Sequence, residues 1–160
     1  MKVKNFWFWV IAGISVAIDQ LTKLTVIQTM ELSQSIPILP GIFHFTYVRN
    51  TGAAFSLFAN GGGWWLRWLS LVVSLGLMAW AIWHPRLPRL EQWGYGFILG
   101  GAIGNGVDRF LLGYVVDFLD FRLINFPVFN IADISINLGI ICLLIATFFS
   151  ADNSSRDDRT

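Results

Sequence analysis

The sequence VVDFLDFRLINFPVFNIAD, at residues 115–133, places three carboxylates in a chain that is otherwise dominated by apolar residues. They belong to Asp117, Asp120 and Asp133. Ionisable groups at or near membrane depth are costly, so their presence there indicates a functional site. We expect the stretch to form a strand and a loop between two helices, with Asp117 near one end and Asp133 near the other.

The remainder of the chain has the composition of a membrane protein. Of its 160 residues, 55% are hydrophobic and 13% are charged, and the mean hydropathy is +0.60. A soluble domain carries about 25% charged residues. The net charge of +1, with Lys and Arg dispersed along the chain, excludes the basic surface of a nucleic-acid-binding protein and favours membrane lipid as a partner. We expect a single integral-membrane domain over residues 1–160.

Several apolar runs approach the roughly 20 residues that a bilayer-spanning helix needs. The predicted transmembrane helices cover residues 6–29, 64–83, 93–110 and 131–149, and the polar tail at 151–160 is expected to be disordered. The first run follows two lysines and resembles a secretory signal peptide. Because the rest of the chain is itself membrane-embedded, we interpret this run as an uncleaved helix that sets the orientation.

Between the first two spans, residues 33–60 change in character. Residues 36–41 are turn-rich, and the β-branched and aromatic residues at 42–49 predict a strand. Open strand edges do not lie in hydrocarbon, so this insert should lie at or outside the membrane surface. The basic loop at 85–89 and the basic tail favour cytoplasmic termini, which places the insert and residues 115–133 together on the extracytoplasmic face.

Two pairs of charged residues flank the predicted spans. Asp19 and Lys23 are four residues apart and share one helix face, where they form either a structural ion pair or part of a site. Asp108 and Arg109 stand at the end of the third helix, where they either close the helix as an ion pair or also belong to a site.

The third helix also carries a stripe of small residues, Gly96, Gly100 and Gly104, at every fourth position. Such a stripe lets another helix or a ligand approach the backbone closely. We expect another helix or a lipid chain to lie in the narrow groove beside it.

Asp117 and Asp133 can meet at one boundary of the membrane. Two carboxylates at close range cannot both ionise easily, so one stays protonated while the other is charged. Such a pair can activate water with one group and protonate the leaving group with the other. The alternative at this point is that each aspartate has a separate structural role. The two histidines and one cysteine offer no metal-ligand spacing, and no serine or cysteine nucleophile has a base beside it.

Two other classes of protein are possible. In a transporter subunit the carboxylates would lie along a path through the bilayer, whereas here they gather at one boundary. A non-enzymatic assembly protein would bind partners through the aromatic insert and would tolerate Asp→Asn changes.

Five polar motifs then occur in one order along the chain. They are DQLTK at 19–23, NTGAAF at 50–55, GGAIGNGVDR at 100–109, VVDF at 115–118 and FNIAD at 129–133. Together they closely resemble the lipoprotein signal peptidase family, also called signal peptidase II, over about residues 10–148. Each motif is weak by itself, but five in the same order are a strong signal.

The resemblance implies a mainly α membrane fold of four transmembrane helices, with a small extracytoplasmic β-sheet insert between helices 1 and 2. It implies an aspartic endopeptidase of the bacterial cytoplasmic (inner) membrane. Such an enzyme removes the signal peptide of a diacylglyceryl-modified prolipoprotein on the amino side of the lipidated cysteine. A monomer without metal or cofactor, sensitive to globomycin-type inhibitors, is expected.

Carried over by position, the resemblance makes Asp117 and Asp133 the catalytic dyad. The other residues that match family motifs would bind substrate or support the dyad, and they are Asn50, Gly52, Asn105, Asp108, Arg109, Asn130, Asp19 and Lys23. Gly106 departs from the family pattern, in which a bulkier apolar residue is expected, and this concerns helix packing. Asp120 is expected to face solvent or to support the others.

Overall fold

The computed structural model describes residues 4–52 and 62–157. The end of the predicted insert, 53–60, and the last residues of the predicted tail, 158–160, lie outside the described residues. Within the described part, four long helices combine with one three-stranded antiparallel sheet of order β1-β2-β3. The elements are α1 (Phe6–Thr29), β1 (Ser35–Leu39), β2 (Phe43–Asn50), α2 (Leu66–Trp83), α3 (Arg89–Leu111), β3 (Val115–Phe121) and α4 (Ile131–Asp157).

Three helices in the described part of the chain are long and apolar enough to cross a membrane, and they span Phe6–Thr29, Leu66–Trp83 and Ile131–Phe149. Their large apolar side chains are widely exposed, with Leu21 65% and Val72 66% accessible. A surface of this kind suits lipid as the solvent. The helix at the position of the predicted third span, α3, does not reach the same hydropathy, because glycines and the buried polar residues Gln92 and Asn105 interrupt its apolar residues.

Two helix boundaries differ from the sequence prediction. Helix α3 begins at Arg89 rather than at 93, directly after Pro88, whose fixed φ suits the residue before a helix. Helix α4 continues past 149 to Asp157, so its backbone includes residues 151–157 of the tail that was expected to be disordered.

Helix α3 lies at the centre of the bundle and packs against α1, α2 and α4. Its glycines permit close approach: a Cβ atom added at Gly104 would overlap the carboxylate of Asp19, and one at Gly100 would overlap Ser15. Both neighbours belong to α1. The expectation of a lipid chain beside the glycine stripe is therefore wrong, because α1 occupies that groove. Gly106 serves α2 in the same way, since a Cβ there would lie 3.1 Å from the Cβ of Ser70.

The sheet differs from the predicted insert in two respects. Residues 36–41, which were expected to be a turn, contribute most of strand β1. Pro37 is acceptable there because β1 is an edge strand, where the missing N–H donor costs no ladder bond. The third strand, β3, comes from the segment between α3 and α4 and pairs with β2. The sheet is thus not confined to the insert between the first two helices.

The sheet packs on the last turns of α1. Val26 of α1 and Met30, the residue after its end, form a buried apolar cluster with Tyr47, Val116 and Phe118 of the strands. We call this end of the bundle the sheet end and the opposite end, at residues 84–88, the far end. The chain passes from the end of α3 into β3 and then into the start of α4, all at the sheet end. Asp117 on β3 and Asp133 on α4 therefore lie close together.

Candidate active site

The site begins with the first turn of α4. Asn130 and Asp133 form a reciprocal cap, in which the Asn130 backbone N–H donates to Asp133 Oδ2 and the Asp133 N–H donates to Asn130 Oδ1, both at 3.1 Å. Such a cap satisfies two amides that a helix start leaves without partners. Asn is a favoured residue at a helix start, and Asp133 lies in the first helical turn, where the helix dipole favours negative charge.

Asp117 on β3 is only 2% exposed and accepts two amide hydrogen bonds. Asn130 Nδ2 donates to its Oδ1 at 2.6 Å, and Asn50 Nδ2 donates to its Oδ2 at 2.8 Å. The Asn50 side chain is itself oriented by the backbone N–H of Gly52, which donates to Asn50 Oδ1 at 3.0 Å. Burial raises the pKa of Asp117 to about 6; the nearby charge of Asp133 adds to this, and the two amide bonds oppose it.

Asn105 on α3 connects the two carboxylates to α1. Its Nδ2 donates to Asp133 Oδ1 at 2.9 Å. Its Oδ1 accepts from Asn130 Nδ2 at 3.1 Å and from the ammonium of Lys23 at 3.0 Å. One amide therefore contacts both the second carboxylate and a buried cation.

The ammonium of Lys23 lies 3.0 Å from Asp19 Oδ2 and 3.0 Å from Asp108 Oδ2. These three side chains are almost completely buried. Asp19 Oδ1 also accepts from the backbone N–H of Ala132 at 2.8 Å, and Asp108 Oδ2 accepts from that of Val116 at 3.1 Å. The two carboxylates thus connect α1 and α3 to the starts of α4 and β3.

Arg109 does not pair with its neighbour Asp108, as the ion-pair interpretation of the sequence required. Its Nη1 donates to the backbone carbonyl of Asn105 at 3.4 Å. Asp108 instead bonds Lys23, Gln20 and the backbone of β3. The two adjacent residues therefore serve different parts of the site, one at the cavity and one behind it.

A cavity of about 710 Å³ opens beside this network. Six of the predicted site residues line it, namely Asn50, Gly52, Asn105, Arg109, Asp117 and Asp133. The other four, Asp19, Lys23, Asp108 and Asn130, are buried behind these. The cavity consequently has a first layer of polar groups held in place by a second.

Sequence reasoning missed much of the cavity wall. It did not identify the residues at 126–129, Phe-Pro-Val-Phe, or Ile136, which give the cavity an apolar side. It also missed Arg49, whose guanidinium lies 4.8 Å from the ring centroid of Tyr114 and donates to Tyr47 Oη at 3.3 Å. The position of Arg49, directly before the motif that begins at Asn50, was the available signal.

Asp120, the third carboxylate of residues 115–133, is separate from this site. It is buried, so it does not face solvent, and it accepts from Thr46 Oγ1 at 2.6 Å and Arg122 Nε at 2.9 Å. Although burial alone would raise the pKa of Asp120, these bonds and the charge of Arg122 hold it below its usual value. Asp120 is a charged member of the sheet and is absent from the cavity lining.

The fold and the site define an integral membrane enzyme. Its cavity is lined by two carboxylates, each held by hydrogen bonds from asparagine residues. A solved structure described as a bacterial membrane enzyme superposes with a TM-score of 0.80 at 31% identity, covering 90% of this chain and 88% of that chain. A second with the same description gives a TM-score of 0.73 at 31% identity, covering 86% of this chain and 90% of that chain.

Two relatives named lipoprotein signal peptidase are similar over most of the chain. The protein from Microcystis aeruginosa is 66% identical over 149 residues, covering 92% of this chain and 96% of its own. The protein from Thermosynechococcus vestitus is 65% identical over 146 residues, covering 89% and 92%. The family model for signal peptidase (SPase) II matches residues 11–149. The chain belongs to the signal peptidase II family, and it is a bacterial membrane protease.

Proposed function

We propose that this protein is an aspartic endopeptidase that cleaves diacylglyceryl-modified prolipoproteins on the amino side of the lipidated cysteine. Asp117 and Asp133 are its catalytic residues. The contact that carries this proposal is Asn130, which donates from its side chain to Asp117 at 2.6 Å and from its backbone to Asp133 at 3.1 Å. One residue thus holds both carboxylates at the same cavity.

In the proposed reaction the ionised carboxylate takes a proton from water while the water oxygen attacks the scissile carbonyl carbon. The protonated carboxyl donates to the carbonyl oxygen, giving a tetrahedral intermediate. A proton then passes to the leaving nitrogen as the C–N bond breaks. The signal peptide gains a carboxylate, and the lipidated cysteine gains a free amine. All proton transfers use the two aspartates and the water, so no metal or cofactor takes part.

The two kinds of wall in the cavity suit a lipid-modified peptide. The amides of Asn50 and Asn105 and the guanidinium groups of Arg49 and Arg109 provide hydrogen-bond donors for a peptide backbone. The apolar side at 126–129 suits the residues next to the lipidated cysteine. We propose that the enzyme works as a monomer. A globomycin-type inhibitor would bind in the same cavity.

In the proposed membrane arrangement α3 also crosses the bilayer, which brings the number of spans to four. Its 23 residues correspond to about 34 Å of helix, and it packs against the three apolar helices, so that Gln92, Asn105 and Asp108 face protein instead of lipid. With four spans both termini lie on the cytoplasmic side of the inner membrane. The sheet end, with its cavity, then faces the extracytoplasmic side, where prolipoproteins emerge.

The test is cleavage of a diacylated prolipoprotein by purified enzyme in proteoliposomes. Asp117→Asn and Asp133→Asn should each lower turnover by about 10³-fold or more. In either variant only one carboxyl group remains, so the dyad can no longer hold one charged and one protonated carboxyl. Asp120→Asn is the matched control, because it changes a buried carboxylate that does not line the cavity, and it should retain turnover. Near-normal cleavage by either dyad variant would remove the assignment.

A further inference from the structure

The buried ammonium of Lys23 has three acceptors for its three N–H groups. Asp19 Oδ2, Asp108 Oδ2 and Asn105 Oδ1 each lie 3.0 Å from Nζ. The first two contacts neutralise charge. The third is of another kind, since it binds a neutral amide whose other end contacts Asp133.

This contact determines which way the Asn105 amide points. Its oxygen accepts from two donors, Lys23 Nζ and Asn130 Nδ2, so its NH2 group is directed at Asp133. A reversed amide would place NH2 against those two donors and its oxygen against the Asp133 carboxylate. The orientation of an amide follows from such a network. Removing the ammonium removes one of the two donors to the amide oxygen, and among the described residues it is the one cation that bonds the Asn105 side chain.

Hydrogen-bond donors and charged groups surround the Asp133 carboxylate. Asn105 donates to one carboxylate oxygen and the Asn130 backbone to the other. The other charged groups come from three elements: Asp117 from β3, Arg109 and Asp108 from α3, and Asp19 and Lys23 from α1. Two cations and the start of α4 therefore offset the nearby anions.

Asp117 is in a different position. It is on a strand, without a helix start beside it, and its two described hydrogen bonds come from the neutral amides of Asn50 and Asn130. Burial disfavours its charged form. When two close carboxylates share one proton, the proton resides on the member whose charge is less stabilised.

We propose that Lys23 is a positioning residue that fixes the Asn105 amide toward Asp133, making Asp133 the charged, water-activating carboxylate and Asp117 the proton donor. This inference rests on the proposed function and deepens it. Lys23 contacts neither the cavity nor the reacting atoms. Its hydrogen-bonded connection to Asp133 runs through one side chain, Asn105, and its charge also acts on Asp117.

The test is the pH dependence of kcat in the Asp19→Asn, Lys23→Met double variant. One anion and one cation are removed together, so the net charge of the cluster is unchanged, and an Asn at position 19 can still accept from Ala132. We expect kcat at pH 7 to fall about 10- to 100-fold, as for other losses of an orienting contact. The acid limb of the profile should move to higher pH by on the order of one unit, while KM changes little.

Gln20→Leu is the matched control. It removes bonds to Asp19, Asp108 and the Gly104 carbonyl in the same cluster without touching Asn105. It should lower the thermal midpoint and leave the acid limb at its wild-type position. An acid limb that stays in place in the double variant, or that moves equally in Gln20→Leu, would overturn the role of Lys23.

If the double variant does not fold, as judged by its thermal unfolding, Asn105→Ala tests the same connection. It removes the donor to Asp133 while Lys23 keeps both carboxylate partners, and it should move the acid limb in the same direction. An unshifted limb here contradicts the proposal. Inactive dyad variants combined with an unshifted limb would overturn this inference alone, whereas turnover by a dyad variant would overturn the proposed function itself.

Discussion

Buried amides connect the helices at both ends of the bundle, but their partners differ. At the far end, Asn5 donates to the Ala81 carbonyl at 2.9 Å and accepts from the Leu87 N–H at 2.9 Å. Gln92 donates to the Leu87 carbonyl at 2.7 Å and accepts from the Trp7 N–H at 3.1 Å. These four bonds join neutral side chains to backbone groups at helix ends and in the turn between α2 and α3.

At the sheet end the partners are side chains, and several are charged. Asn105 and Asn130 contact each other, two carboxylates and an ammonium. Satisfying the backbone is enough to stabilise a helix junction, and the far end does only that. Burying several charges for stability alone is poorly rewarded, since apolar residues of similar volume often do as well. The sheet end therefore has the features of a site selected for chemistry.

Outside the two aspartates themselves, the largest effect should follow Asn130→Ala. This variant loses the bond to Asp117, the bond to Asn105 and half of the reciprocal cap with Asp133. We expect kcat to fall about 100-fold and stability to fall by about 1 kcal/mol through loss of the cap. Turnover and thermal unfolding of the same preparation measure both. Wild-type kcat would show that the sheet-end network is structural, like that of the far end.

The second effect is a pH dependence of stability caused by Asp117. Because folding raises its pKa from 3.8 to about 6, the native state binds this proton more tightly than the unfolded state. Its contribution is complete below about pH 4 and is lost as pH rises through 6, which amounts to about 3 kcal/mol. In detergent, the thermal midpoint of wild type should fall relative to that of Asp117→Asn between pH 4 and 7. Parallel curves would contradict the shift.

A smaller effect is expected from Asn5→Ala at the far end. Loss of its two bonds leaves the Ala81 carbonyl and the Leu87 N–H without this partner, which should cost about 1 to 3 kcal/mol of stability. The kcat of the folded fraction should be unchanged. Inhibitor titration gives the concentration of active sites, so the effect on kcat can be separated from the effect on stability, which the thermal midpoint reports. A fall in kcat would show that the two ends of the bundle are coupled.

The smallest effect should come from Gly106→Ala, which places a methyl 3.1 Å from the Cβ of Ser70 on α2. The neighbour can shift by a few tenths of an ångström, so we expect a loss of about 1 kcal/mol. The more demanding comparison is Gly104→Ala, whose methyl would overlap the Asp19 carboxylate. A thermal midpoint lowered less by Gly104→Ala than by Gly106→Ala would contradict the packing of α1 on α3.

Much of the fold and of the site could be predicted from the sequence, for reasons that particular residues show. Apolar runs of helical length located α1, α2 and α4. The turn-rich composition of 36–41 concealed β1, because Pro37 is disfavoured in most strands and its edge position depends on tertiary pairing.

The site shows the same division. All ten residues that were singled out lie in one connected region, six at the cavity and four behind it. The sequence could not show which of these side chains contact each other. Lys23 bonds Asn105, which is 82 positions away, and Arg109 bonds the Asn105 backbone instead of its neighbour Asp108. Such contacts depend on the close approach of α1 and α3. The apolar wall at 126–129 lacked any motif of its own.

The most direct test of the two-carboxylate site is a structure of the Asp133→Asn variant with an intact diacylated prolipoprotein peptide bound. We predict that the scissile carbonyl lies in the cavity, with its oxygen within about 2.6–3.2 Å of the Asp117 carboxyl, or one water away. The amide at position 133 should lie on the other side of the peptide bond, within reach of a water facing the carbonyl carbon. A scissile bond outside the cavity, or one that approaches neither residue, would contradict the account.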